Sequence, residues 1–205
     1  MNIAVIGAGN VGGALAKNWA KAGHKVIIGS RNAGSDELKT LSRAFKNLSA
    51  ASIENAVNDS EVILVSIPVQ AATEVASQIG DADNKIIIDA TNSVFAKPKG
   101  YNNCFELLKD VTHCNDLVKC FNSTGFENME NPIYGDLAID MFMAGDSLRA
   151  KETALKLAKD CGFENCYDFG GDDCVQLLEQ FAMSWINLAI LQKQGRDIAF
   201  KIIRR

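Results

Sequence analysis

Short apolar runs recur along the chain, each ending in small or polar residues and each followed by a segment with helical spacing. Ile3-Ala4-Val5-Ile6 opens the series, and Lys25–Gly29, Glu61–Ser66, Lys85–Asp89 and Leu117–Phe121 continue it. None alternates polar with apolar positions, so the runs predict strands buried on both faces, as in a parallel sheet. Between them, Leu15, Trp19 and Ala22 mark a helix from Asn10 to about Ala22, with Gly23 as its stop. Further helices are predicted to begin at Asp36-Glu37 and to span Ser52–Asp59 and Gln70–Ile79. Alternation of this kind predicts an α/β protein, a doubly wound and mainly parallel sheet of the dinucleotide-binding (Rossmann) type.

After Gly125 the pattern changes to a smaller α/β appendage, about 126–205. Leu137–Gly145 reads as a strand. Ser147–Cys161 reads as a helix with Leu148, Ala154, Leu155 and Ala158 on its apolar side and Gly162 beyond its end. Tyr167–Phe169 is a further short strand, and Asp172 to about Gln194 a helix apolar nearly all round. Such a helix needs burial on more than one side, so it is predicted to serve both the core and a homodimer contact through Leu178, Phe181, Trp185 and Leu188. No linker or repeat separates the halves, and 1–205 reads as one domain with a core of about 1–125.

The most telling chemistry lies where the first strand meets the first helix, at Gly7-Ala8-Gly9-Asn10-Val11-Gly12. G-x-G-x-x-G alone is a weak sign, but strand, glycines, helix and second strand follow here in the order that a dinucleotide site requires. Glycines let the backbone approach a pyrophosphate, whose charge the helix N-terminus favours, so Gly7, Gly9, Asn10, Val11 and Gly12 are predicted to contact the cofactor. The second strand ends in Gly29-Ser30-Arg31-Asn32, with no carboxylate to hold a ribose 2′-hydroxyl. Asp36 and Glu37 lie past the turn and suit a helix start. Ser30, Arg31 and Asn32 are therefore predicted to take the 2′-phosphate of NADP(H).

Ligands of open α/β sheets lie beyond the carboxyl ends of the strands. Ser66, Asp89, Asn92, Asn122, Ser123 and Thr124 are such tips, and are expected to converge on the nicotinamide end. Ile67 and Pro68 would form an apolar wall there. Asp89, Asn92 and Asn122 either orient the carboxamide or an acceptor's carbonyls, or cap turns. Any catalytic part for Asn92 and Asn122 is orientation alone, since hydride transfer between stacked rings needs no nucleophile.

Composition narrows the class further. At 205 residues and 47% hydrophobic, the chain can bury a sizeable core. A formal charge of -4 and the lack of a basic run argue against nucleic acid as a partner. Met1 runs straight into the first strand and no apolar run is expected to reach membrane-spanning length, so the expectation is a cytoplasmic protein without a membrane partner. The six cysteines include no C-x-x-C and only His24 and His113 could join them, which predicts reduced thiols and no metal.

With Gly7–Gly13, Gly29–Asn32, Ile67-Pro68, Asp89–Asn92, Lys119–Ser123, Ala144–Asp146 and Ile198–Lys201 in this order, the chain resembles the coenzyme F420-dependent NADP oxidoreductase family. The resemblance implies an NADPH-binding Rossmann fold that passes hydride between NADP(H) and a deazaflavin. The reductase domains of the STEAP metalloreductases look similar and imply that FMN or FAD can replace the deazaflavin. Ser123, where Thr is frequent, departs from the family pattern and bears on the second substrate. Two other classes stand beside this one: a small imine or hydroxy-acid dehydrogenase, disfavoured because those enzymes add a long helical domain, and a non-catalytic NADPH-binding sensor.

Overall fold

The structure is a computed structural model describing residues 1–205. Its sheet contains β1 (Asn2–Ile6), β2 (Lys25–Gly29), β3 (Leu48–Ala51), β4 (Val62–Val65), β5 (Ile86–Asp89) and β6 (Asp116–Cys120). To these it adds β9 (Met141–Ala144) and β10 (Cys166–Asp168), in the order β10-β9-β6-β5-β4-β1-β2-β3. All neighbours are parallel except β6 and β9. Val5 sits between Ile28 and Leu64 in register, so the apolar runs stack across the sheet and both faces need cover. The doubly wound, mainly parallel sheet read from the sequence is the one observed.

One face is covered by α1 (Asn10–Lys21), α2 (Asp36–Ala44) and α7 (Leu148–Asp160), whose buried residues share a core with Trp19, Phe121 and Phe163. The other is covered by α3 (Ile53–Asn58), α4 (Ala72–Ile79), α5 (Cys104–Thr112) and α8 (Val175–Ile186). α6 (Phe126–Glu130) packs on α1, and β7 (Ile133–Tyr134) with β8 (Leu137–Ala138) forms a separate hairpin. Side chains of Ser35, Ser52, Asn103 and Ser147 accept backbone N–H bonds at the starts of α2, α3, α5 and α7.

The apolar stretch Leu137–Gly145 is two strands rather than one. Between β8 and β9 the Ile139 N–H turns to the Pro132 carbonyl, and the buried Asp140 carboxylate accepts the Ile202 N–H at 2.8 Å. A buried carboxylate needs donors that a strand ladder does not supply, so the ladder breaks there. The long C-terminal helix is likewise subdivided. A 3₁₀ turn at Asp172–Cys174 leads into α8, and a π-helical segment, Asn187–Leu191, ends it before Gln194.

Of the four residues read as a homodimer contact, Leu178 and Trp185 are buried within the chain, while Phe181, edge-on to Phe142, and Leu188 are half-exposed. In addition, Asp172–Leu191 is by length and composition apolar enough to cross a bilayer, contrary to the expectation that no run reaches that length. In the fold it lies on the sheet, with Val175 and Leu178 in the core and Glu179 in a buried ion cluster. All six cysteines are free, and burial pushes the Cys114 and Cys161 thiols up to about 11 and about 12, which leaves them unreactive.

Candidate functional site

Gly7 ends β1 with φ of +105°, and a Cβ there would lie 2.1 Å from the Ser66 carbonyl oxygen. At Gly12 a Cβ would meet the Gly7 carbonyl oxygen at 2.0 Å, so these two glycines let the loop, β4 and α1 close on one another. Gly9 differs: a Cβ there would meet nothing within 4 Å. It points into open space above the start of α1, where a pyrophosphate would approach. α1 has no side-chain cap and no acidic residue in its first turn, unlike α2, α3 and α5, so its first N–H groups are left for an anion.

A pocket of about 290 Å³ opens beside this loop and brings together Gly7, Gly9, Ser30, Arg31, Ser66, Ile67 and Pro68. Ile53, Ala71, Glu74 and Val75 complete its wall from α3, α4 and the turn before α4. The sequence reading missed these four, because only the crossovers from β3 to β4 and from β4 to β5 bring α3 and α4 to the loop. Glu74 is the one carboxylate in the lining, and it comes from α4 rather than from the tip of β2. Asp36 and Glu37 begin α2, as expected. Arg31 is exposed and makes no ion pair, while the Ser30 hydroxyl accepts the Asn32 N–H at 3.1 Å and keeps its own proton to donate. Asn10, Val11 and Asn32 lie outside this lining. Asn10 instead borders a larger hollow of about 860 Å³ between α1, α2 and α6.

The tips of β5 and β6 are arranged differently. Asp89 is fully buried, and its carboxylate accepts from Lys119 Nζ at 2.9 Å and from the Thr91 N–H at 2.9 Å. Its predicted place among the cofactor contacts is therefore corrected: a carboxylate spent on a buried ammonium does not reach a ligand. Ser123 and Thr124 are also absorbed by the fold, the first against Met141 Sδ and the second accepting from Asn128 Nδ2 at 2.7 Å. Asn92 and Asn122 meet one another. Asn92 Nδ2 donates to the Asn122 carbonyl at 2.9 Å, and Asn122 Nδ2 to Asn92 Oδ1 at 3.1 Å.

Asn122 follows Phe121, a bulky residue held at φ of 61°. A left-handed backbone costs such a residue about 1–3 kcal/mol. Trp19 packs edge-on against the Phe121 ring, centroids 5.7 Å apart, and holds it there. Asn122 Oδ1 and Thr91 Oγ1 are buried without a hydrogen-bond partner.

Lys119 and Glu179 were not singled out from the sequence. Lys119 Nζ binds Asp89 Oδ2 at 2.9 Å, Glu179 Oε1 at 2.8 Å and the Thr91 carbonyl at 2.8 Å, and neither Lys119 nor Glu179 is more than 1% exposed. Burial works against the ammonium, yet Asp89 and Glu179 outweigh it and raise the Lys119 pKa. A lysine inside the apolar run Leu117–Phe121 was the available signal, since a charge on a buried strand requires partners.

Residues 2–93 match the family described as NADP oxidoreductase coenzyme F420-dependent. The chain is 27% identical over 208 residues to an F420-dependent NADP reductase of Methanothermobacter marburgensis, covering 93% of each. It is 26% identical over 164 residues to the metalloreductase STEAP3 of Rattus norvegicus, covering 78% of this chain and 32% of that one. Among solved structures, a protein of Arthrobacter sp. FB24 assigned provisionally as an F420-dependent NADP reductase superposes with a TM-score of 0.81 over 100% of both chains at 22% identity, a likeness of fold. The resemblance to the coenzyme F420-dependent NADP oxidoreductase family is thereby borne out, with the family's pattern matched in residues 2–93 and similarity to a curated reductase running through 93% of the chain.

Proposed function

We propose that this chain is an NADP-dependent oxidoreductase that passes hydride between NADP(H) and a deazaflavin of the coenzyme F420 type. The observation that carries the reading is the uncapped N-terminus of α1 beneath an open Gly9, with an unpaired Arg31 at the tip of β2. The residues fit NADP(H): the α1 N–H groups suit its pyrophosphate, Ser30 and Arg31 its 2′-phosphate, and the Ile67-Pro68 wall an apolar ring face. When bound, NADP(H) supplies or takes the hydride, so the chain's own task is to orient the rings and exclude water. Asn92, half-exposed and hydrogen-bonded to the buried Asn122, would orient the nicotinamide carboxamide. The deazaflavin as acceptor rests on similarity to F420-dependent NADP reductases, and a flavin is the alternative acceptor.

Calorimetric titration with NADPH and NADH, followed by NADPH oxidation with F420, FMN or FAD, tests the reading. Preferential NADPH binding with fastest turnover on F420 is the expected result. Turnover with a flavin alone would reassign the acceptor, binding without turnover would favour a sensor, and no binding would overturn the proposal.

A further inference from the structure

We infer that Lys119, Asp89 and Glu179 form a buried frame that positions the Asn92–Asn122 amide pair beyond the tips of β5 and β6, an inference that rests on the function proposed above. The frame's backbone contacts fall on Thr91 and Ser93, the two residues that flank Asn92. Asp89 Oδ1 accepts the Thr91 N–H at 2.9 Å, Glu179 Oε1 accepts the Ser93 N–H at 3.2 Å, and Lys119 Nζ donates to the Thr91 carbonyl at 2.8 Å. Backbone groups on both sides of Asn92 are thus tied to charges, while Asn92's own amide is free to engage Asn122. The three members come from β5, β6 and α8, so the frame also ties the C-terminal helix to the loop that follows β5. Asn122 is fixed independently from the other face of the sheet by the Phe121 ring against Trp19.

The chemistry of the cluster argues for positioning over simple stability. Two carboxylates face one ammonium, and Glu179 Oε2 is buried with no partner, an arrangement less favourable than an apolar packing of the same volume. It does give each peptide group around Asn92 a charged partner, and such hydrogen bonds are shorter and stronger than neutral ones. These residues act through Asn92 and are positioning residues rather than catalytic ones.

The test is Glu179→Gln, alone and combined with Asn92→Ala. The amide keeps an acceptor for Ser93 but places an N–H where Glu179 Oε2 has no partner. Expected are a fall in kcat of tenfold or more with F420, affinity for 2′,5′-ADP within twofold of wild type, and faster hydrogen exchange at the Ser93 N–H. Because the effect passes through Asn92, Glu179→Gln should lower kcat no further in the Asn92→Ala background. Additive losses, unchanged Ser93 exchange, or a parallel loss of 2′,5′-ADP binding would overturn the frame. Should Glu179→Gln not fold, the triple change Asp89→Asn, Lys119→Met and Glu179→Gln removes all three charges together, and the same readouts apply. Ser93 exchange needs no turnover, so the frame is judged even if NADPH fails to bind the wild-type protein, which would sink only the function proposed above.

Discussion

The carboxyl ends of β2 and β6 handle charge in opposite ways. Arg31, at the tip of β2, is exposed and has no ion-pair partner, whereas Lys119, at the end of β6, is fully buried with Asp89, Glu179 and the Thr91 carbonyl around its ammonium. Both are basic residues close to the carboxyl ends of parallel strands. Their partners, and not their positions, separate an exposed, unpaired cation from one enclosed by two carboxylates. The same distinction divides Gly9, whose missing Cβ faces open space, from Gly7, whose missing Cβ would strike the Ser66 carbonyl.

The strongest way to break this comparison is Lys119→Met. It leaves Asp89 and Glu179 buried without their cation and is expected to cost about 3–5 kcal/mol of stability. In a thermal melt that is a fall of roughly 10 °C, and a change of a degree or two would mean that Lys119 does not compensate the two buried carboxylates. Arg31→Ala should do the reverse. Its melting temperature without nucleotide stays at the wild-type value, while NADPH affinity drops by about 1.5–3 kcal/mol, the range for a hydrogen bond to a charged group, and NADH affinity stays within twofold. Equal losses for the two nucleotides by calorimetry would remove the 2′-phosphate assignment.

Gly9→Ala sharpens the contrast among the glycines. The free protein should lose less than about 1 kcal/mol, the usual scale of a cap change, yet bind NADPH and NADH about tenfold more weakly because a methyl group enters the space of the pyrophosphate. Undiminished binding would mean that the nucleotide runs elsewhere.

The smallest effect belongs to Asp116, at the far end of β6 from the cleft. The Ser147 hydroxyl and Arg149 outweigh partial burial and hold its carboxyl below the usual range. A depressed folded-state value adds stability that is present above the ordinary carboxylate pKa and lost as pH falls through the folded one. Urea midpoints measured between pH 6 and pH 3 should therefore fall less steeply in Asp116→Asn. The difference should stay under about 1 kcal/mol because the pair is partly solvated, and an identical pH dependence would contradict it.

Much of this was legible in the sequence for a physical reason. Strands buried on both faces leave continuous apolar runs, and the glycine positions answer to local geometry, so β1, β2, β4, β5, β6 and the Gly7–Gly12 loop could be read from neighbours in the chain. β3 could not, because Leu48-Ser49-Ala50-Ala51 is short and small at the sheet's edge. α5 announced itself through Asn103 and Glu106, three residues apart, in a pattern that the reading passed over. Asp89 was misassigned, and Glu179 missed, because their meaning depends on Lys119, 30 residues from Asp89 and 60 from Glu179. Spacing along a chain does not reveal a contact of that kind, although a lysine inside an apolar strand signals that one must exist.

The reversal of direction at β9 has a consequence for how the chain becomes a folded protein. When synthesis has passed β6, the strands β1 to β6 can already associate, but the outer edge of β6 stays open until residues 141–144 arrive antiparallel to it. An apolar edge with unpaired amides is a template for wrong partners. The appendage therefore serves as the sheet's terminal seal, and a fragment ending near residue 125 is expected to aggregate during expression although it carries the whole nucleotide loop.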